Sequence, residues 1–403
     1  ARKGGPQMYR FTFSELFAGI GMFRVGLERV GGRCIFAVEC APHARSVYCA
    51  NHVTSDGKAD ADGGCALLEV DEHTAEEPSA HPPLVGDITT IPSAYFPHHD
   101  VLTGGFPCQS FAKAGSALGL QDEKGSLFFE VVRVIGAARP KGFLLENVEN
   151  LLHVDAAPDG RDNGPQAQLN TILTALQNPR GSDGAGSSYI VVHRVVDGAH
   201  VTPQRRKRVY FFGVRADMPH ATAEFVNASV DTAVRQLRSY LQDHPDAPRC
   251  VRDILETEEN TSIATGKKST PIDTLRLTPS QWKAVQQSES FRRSPAWRTA
   301  DVNGLARTLM GSYRASYQLF SEFVPLHGHE PPFRFYSIRE CARLQGIPES
   351  FSFDVCPRPA LSHNDVNSAK RIPDGAMYRL IGNAVNPIVV EYLGRALVAC
   401  LVE

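Results

Sequence analysis

Strand-like and helix-like segments alternate through the first half of the chain, and this alternation constrains the fold more than any other feature. Residues 9–16 read as a strand, closed by the small-residue turn Phe17-Ala18-Gly19-Ile20-Gly21. Phe23, Leu27 and Val30 then recur at helical spacing, and Gly31 suits the position just past a helix C-terminus. Further strands are expected over 34–38, 100–104, 142–146, 189–196 and 208–214, with helices over 127–138 and 169–176. A chain patterned this way folds as α/β: a doubly wound, mostly parallel sheet with helices on both faces.

Three stretches break the rhythm. Residues 54–83 are acidic and rich in Ala and Gly, which suits a surface insertion; 156–164 and 178–188 are Gly/Asp/Ser-rich loops. Between 216 and 333 periodicity weakens and no α/β alternation survives, while helical pattern returns at 338–344 and 387–401. The expected organisation is therefore one domain from 7–215 and 376–403, with a smaller domain and hinge over 216–375.

Composition narrows the class. The 403 residues are 42% hydrophobic and 21% charged, the profile of a folded rather than a disordered chain. Arg133 interrupts the best internal apolar run, and Glu391 and Arg395 the C-terminal one, so no membrane partner is expected. The opening ARKGGPQMYR lacks the apolar core of a secretory signal. Nine cysteines without a CxxC pair argue against a zinc module and a disulfide framework, which points to an intracellular, reducing compartment and to no metal. A net charge of −2 gives no bulk sign of nucleic-acid binding. The stretch 194–215 is locally basic, which suits phosphate binding and equally a solvated charged face.

The chemistry-bearing residues sit where strands end. Glycines in the 17–21 turn let a cofactor approach the backbone at the carboxyl edge of a sheet. A dinucleotide fingerprint would need a third Gly at position 24, which is Arg24. Glu39, closing the next strand, occupies the place of an acid that binds ribose hydroxyls. Gly105-Phe106-Pro107-Cys108-Gln109-Ser110-Phe111 follows the strand at 100–104. A thiol in such a sheet-edge loop suits exposure and a lowered pKa. Glu146-Asn147-Val148 ends a neighbouring strand, and Gln204-Arg205-Arg206-Lys207-Arg208 leads into another.

Taken in order, these segments resemble the DNA (cytosine-5-)-methyltransferase family over nearly the whole chain. FAGIG matches the cofactor loop, GFPCQSF the nucleophile loop, ENV the acid motif, and QRRKR the QxRxR pattern through Gln204, Arg206 and Arg208. RECARLQG at 339–346 and GNAV at 382–385 match the two late motifs. The resemblance implies a Rossmann-like SAM-dependent methyltransferase fold, with a smaller target-recognition domain inserted before the C-terminal helix.

It also implies roles. Cys108 would attack C6 of cytosine, Glu146 would contact N3 and the exocyclic amine, and Arg206 and Arg208 would orient the base and its loops. The donor would be S-adenosyl-L-methionine, leaving S-adenosyl-L-homocysteine. Phe17 would pack on its adenine, and Ala18, Gly19, Ile20 and Gly21 would face its methionine part. Glu39 would hold the ribose, and Asp87 with Ile88 the adenine. Pro107, Leu127, Asn383 and Val385 would complete the site. On the DNA side the resemblance suggests Gln109, Ser110 and Gln204. The basic residues Arg292, Arg293, Arg298, Arg307 and Arg314, with Trp297 and Tyr313, fall where the family keeps its variable recognition domain and suit phosphate and groove contacts. Double-stranded DNA is the expected partner and a monomer the expected state. Two alternatives stay open. One is a transfer-RNA cytosine-C5 methyltransferase, although that branch's Cys-Phe-Thr tripeptide is absent from this region. The other is a catalytically silent DNA-binding regulator of the same fold.

Overall fold

A computed structural model describes residues 9–52, 84–106, 127–152, 165–180, 186–256, 272–326, 328–354 and 371–401. Nine strands are described: β1 (Phe11–Leu16), β2 (Gly32–Val38), β3 (Leu84–Val85), β4 (Val101–Gly105), β5 (Gly142–Val148), β6 (Tyr189–Asp197), β7 (Lys207–Arg215), β8 (Val324–Pro325) and β9 (Phe333–Arg334). The helices are α1 (Met22–Glu28), α2 (Pro42–His52), α3 (Leu127–Ala138), α4 (Pro165–Gln177), α5 (Ala223–Asp243), α6 (Val251–Ile254), α7 (Pro279–Gln287), α8 (Glu289–Arg293), α9 (Ile338–Leu344), α10 (Asp374–Asn383) and α11 (Pro387–Ala399).

The first seven strands form one sheet in the order β3-β2-β1-β4-β5-β7-β6. Pairing is parallel from β3 through β5, and β7 runs antiparallel to β5. The mostly parallel α/β sheet expected from the alternation is the observed one. Its central strands are buried along nearly their whole length, as parallel strands covered by helices must be. The helix α3 shows why one cover forms: Phe128, Val131, Val134, Ile135 and Ala138 recur at helical spacing and pack with Leu16, Val38, Leu102, Phe143 and Leu145 in a continuous core.

Contacts divide the chain into two compact units. Unit 1 comprises Ala1–Val196, Lys207–Leu237 and Pro387–Glu403; unit 2 comprises Asp197–Arg206 and Arg238–Asn386. These boundaries differ from the 215/216 and 375/376 divisions expected from composition. One reason is α5, which composition left inside the irregular stretch. It presents one buried apolar residue per turn through Val226, Val230, Ala233 and Leu237, too thin a stripe to stand out between polar neighbours.

Candidate active site

Parallel strands bring their carboxyl ends to one edge of the sheet, and in unit 1 that edge gathers the motif residues. Leu16 is in register with Val38 and Gly104, Val38 with Val85, and Gly105 with Glu146. The residues that follow, Phe17, Glu39, Gly86-Asp87 and Phe106, therefore leave the sheet side by side, next to Glu146. This is where open α/β sheets bind ligands.

The 17–21 turn is held in an unusual backbone conformation. Phe17, Gly19 and Gly21 all adopt positive φ, at 53°, 58° and 84°. The two glycines serve different ends. A Cβ on Gly21 would lie 2.3 Å from Nε2 of His52 and 2.9 Å from the Tyr48 ring, so Gly21 is required by packing. Among the described residues, a Cβ on Gly19 would meet nothing nearer than the Phe17 carbonyl oxygen at 3.9 Å, so its backbone is open on that side. That is a surface a ligand can approach closely. Glu39 ties the turn down: one carboxylate oxygen accepts from the Gly19 amide at 2.8 Å and the other from the Ala41 amide at 2.7 Å. Ala18 and Ile20 are buried, while Phe17 and Leu127 pack against the edge of the core. Asp87 is exposed and caps a short turn, accepting from the Thr89 amide at 2.9 Å and the Thr89 hydroxyl at 2.8 Å; Ile88 is buried behind it. An open backbone face, a tethered acid and a partly buried aromatic ring fit the nucleoside and amino-acid parts of a donor such as S-adenosyl-L-methionine.

Glu146 lies almost fully buried near the end of β5, with Arg208 of the antiparallel β7 beside it; Arg208 Nε is 3.0 Å from Glu146 Oε1. A Cβ on Gly105 would sit 3.2 Å from Glu146 Oε2, so the glycine leaves room for this carboxylate. The next residue, Asn147, donates from its side-chain amide to the Phe106 carbonyl at 2.9 Å and accepts from the Val148 amide. Asn147 thus couples the end of β5 to Phe106, the residue that follows β4. Sequence reasoning read Asn147 only as part of the ENV motif. Cys108 itself, with Pro107, Gln109 and Ser110, lies outside the described residues.

The other named residues belong to unit 2. Arg206 is buried, and its guanidinium donates to the carbonyls of Leu309, Gly382 and Ala384 at 3.1, 3.0 and 2.9 Å. It therefore fixes the segment that carries Asn383 and Val385. Gln204, expected at the substrate, is 1% exposed and engaged within the protein: it donates to the Leu344 carbonyl at 2.8 Å and accepts from the Leu309 amide at 2.7 Å. The RECARLQG segment forms α9, capped by a reciprocal Ser337–Glu340 box. Glu340 is also paired through both carboxylate oxygens with Arg334 at 2.7 and 2.8 Å.

The five arginines expected at DNA separate clearly. Arg298 differs from that expectation: it is 1% exposed, and its guanidinium is consumed by the Ser321, Gln318 and Tyr317 carbonyls and the Ser290 hydroxyl. Arg314 lies over the rings of Phe335 and Tyr378, at 4.4 and 5.4 Å from their centroids. Arg293 pairs with Glu289 on the surface, and Arg292 is exposed. Arg307 is exposed and stacks over Trp297, which is itself 62% exposed. Tyr313 is buried and bonded to the Glu322 carbonyl, so it is structural.

Among the described residues no group of metal-ligating side chains occurs and no helix is long and apolar enough to cross a membrane. A family model described as C-5 cytosine-specific DNA methylase matches residues 11–64 and 79–399. The type II methyltransferase M.NlaX of Neisseria lactamica is 28% identical over 399 residues, covering 97% of each chain. M.DsaV of Dactylococcopsis salina is 28% identical over 355 residues, 86% of this chain and 79% of its own. Among solved structures, the Dnmt2 methyltransferase of S. pombe superposes with a TM-score of 0.60 at 18% identity, over 97% of this chain and 99% of that one, which shows the shared fold.

Proposed function

The chain belongs to the C-5 cytosine-specific DNA methylase family, and we propose that it methylates C5 of cytosine in duplex DNA through a covalent bond from Cys108 to C6. The observation that carries this reading is the common sheet edge: the Phe17–Gly21 turn, Glu39 and Asp87 follow the parallel strands there, beside the Arg208-paired Glu146 near the end of β5.

Within unit 1, Phe17, Gly19, Glu39, Asp87, Ile88 and Leu127 would hold S-adenosyl-L-methionine. When bound, that donor supplies an electrophilic sulfonium methyl. The target base rotates out of the stack, because C5 and C6 are inaccessible inside a duplex. The Cys108 thiolate adds to C6, and the ring's electrons shift so that C5 becomes nucleophilic. Glu146, held by Arg208, would accept from the exocyclic amine through one carboxyl oxygen and, carrying a proton on the other, donate to N3, which stabilises the negative charge that develops on the ring. Methyl transfer to C5 would leave S-adenosyl-L-homocysteine; loss of the C5 proton to water would then let the C6–S bond break with its electron pair returning to the Cys108 thiolate, which restores the ring. Residues 216–375 choose the DNA sequence, with Arg292, Arg293, Arg307 and Arg314 as the candidate contacts.

Incubation with labelled donor and either duplex DNA or total RNA tests the reaction and its substrate together. Label is expected in DNA at cytosine C5, with Cys108→Ser inactive but still binding donor. DNA carrying 5-fluorocytosine at the target should trap the wild-type enzyme, since fluorine cannot leave as a proton. An adduct on another cysteine, or label only in RNA, overturns the assignment.

A further inference from the structure

Arg133 lies on α3, outside every motif, and at sequence level it is only a charge interrupting an apolar run. In the folded chain its guanidinium reaches across to a different segment. Nη2 donates to the Ile88 carbonyl at 2.9 Å and Nη1 to the Ser93 hydroxyl at 2.9 Å. Nε donates to Glu130 at 2.8 Å, and the guanidinium lies over the Phe96 ring, 5.5 Å from its centroid. Nη2 also lies 2.6 Å from the same Glu130 oxygen, so the guanidinium is shared between Glu130 on its own helix and the Ile88 and Ser93 acceptors outside it, with Arg133 and Glu130 only 28% and 22% exposed. A bare ion pair one helical turn apart would need none of the contacts outside the helix.

The segment so held is the turn that begins at Asp87. Asp87 caps it through Thr89, and Ile88, Ile91 and Phe96 are buried in the core behind it. The turn is thus internally closed and apolar on one side. Among the described residues, Arg133 links it to α3, bonding the carbonyl of the residue next to Asp87. A planar guanidinium presents such divergent donors at fixed angles; a lysine ammonium does not.

We propose that Arg133 is a positioning residue for the methyl donor: it fixes the Asp87–Ile88 turn and thereby the recognition of the adenine amine. This deepens the donor site and rests on its assignment. Arg133 touches no donor atom; it acts through the turn.

Titration calorimetry with S-adenosylhomocysteine and with its hypoxanthine counterpart, which lacks the amine, tests this in the full chain. Arg133→Ala should weaken S-adenosylhomocysteine binding about tenfold, the loss expected for a charge-assisted hydrogen bond. The hypoxanthine ligand should weaken less, so discrimination between the two falls. The rate at saturating donor should stay within about twofold, since the reacting centre is untouched. Arg133→Lys should recover thermal stability more fully than discrimination. Unchanged affinity, or equal weakening of both ligands in Arg133→Ala, overturns the proposal. Asp87→Asn is the companion variant. If it leaves discrimination intact, the donor-site assignment has failed, and Arg133's role fails with it; if it lowers discrimination while Arg133→Ala does not, Arg133 alone is wrong.

Discussion

At the scale of single residues, the site depends on carboxylates whose geometry other groups impose. Glu146 faces Arg208 at 3.0 Å in a largely dry setting, so removing the arginine leaves a poorly compensated charge. Arg208→Ala should lower kcat about 10- to 100-fold, the worth of a charge-assisted hydrogen bond, while donor affinity holds. Arg208→Lys should recover part of the loss. Single-turnover kinetics with prebound donor would show it, and a defect confined to donor affinity would remove Arg208 from the base-binding side. Glu39 is different, because it already serves the fold by accepting from Gly19 and Ala41. Glu39→Ala should weaken donor binding by about 1.5–3 kcal/mol through lost ribose hydrogen bonds and a looser turn. Calorimetry returning wild-type affinity would place the ribose elsewhere.

At the scale of elements, β1 carries an acid that the mechanism does not use. Glu15 is fully buried one residue before Leu16, near Arg24, Cys34 and Tyr48. Burial, opposed by the Arg24 guanidinium, pushes its pKa from 4.5 up to about 8. The native chain therefore keeps a proton that the unfolded chain gives up above pH 4.5. Between that pH and about 8 the unfolded state binds fewer protons, so this group's contribution to stability falls as pH rises. His52, lowered to about 3 by burial, acts in the opposite sense but is common to wild type and variant. The melting temperature of Glu15→Gln relative to wild type should accordingly climb from pH 5 to pH 8. A difference that stays level across that range would mean Glu15 does not titrate there.

At the scale of the whole molecule, the second unit holds the residues proposed to read DNA, and the structure ranks them. Arg298→Ala should destabilise the fold, since four acceptors lose their donor, without altering which sequence is chosen among molecules that remain folded. Arg307→Ala should weaken binding or relax choice at one position by about 1–3 kcal/mol. Binding of each variant to a randomised duplex library at several salt concentrations separates the cases. A phosphate contact flattens the salt dependence for all sequences, and a base contact changes one position. Wild-type affinity, salt slope and preference in Arg292, Arg293, Arg307 and Arg314 variants alike would move recognition to other residues of this unit.

The amino-acid sequence by itself determined the sheet edge and which motif residues stand at it. Alternating periodicity places β1, β2, β4 and β5 in turn, and the Gly19/Gly21 turn, Glu39 and Glu146 follow directly from where those strands end. These are local properties, set by side-chain period and by backbone conformations that glycine tolerates. What only the tertiary structure decided is which polar side chains are consumed by the fold. Arg298, Arg206 and Gln204 read as ligand-facing residues in the sequence. Their hydrogen-bond partners are mostly backbone carbonyls and amides, supplied by segments up to 178 positions away. Arg133 reads as no more than an interruption, yet its acceptors lie 40 and 45 residues back on another turn. Every residue offers the same backbone carbonyl whatever its side chain, so no residue type announces that an arginine will find its partner there.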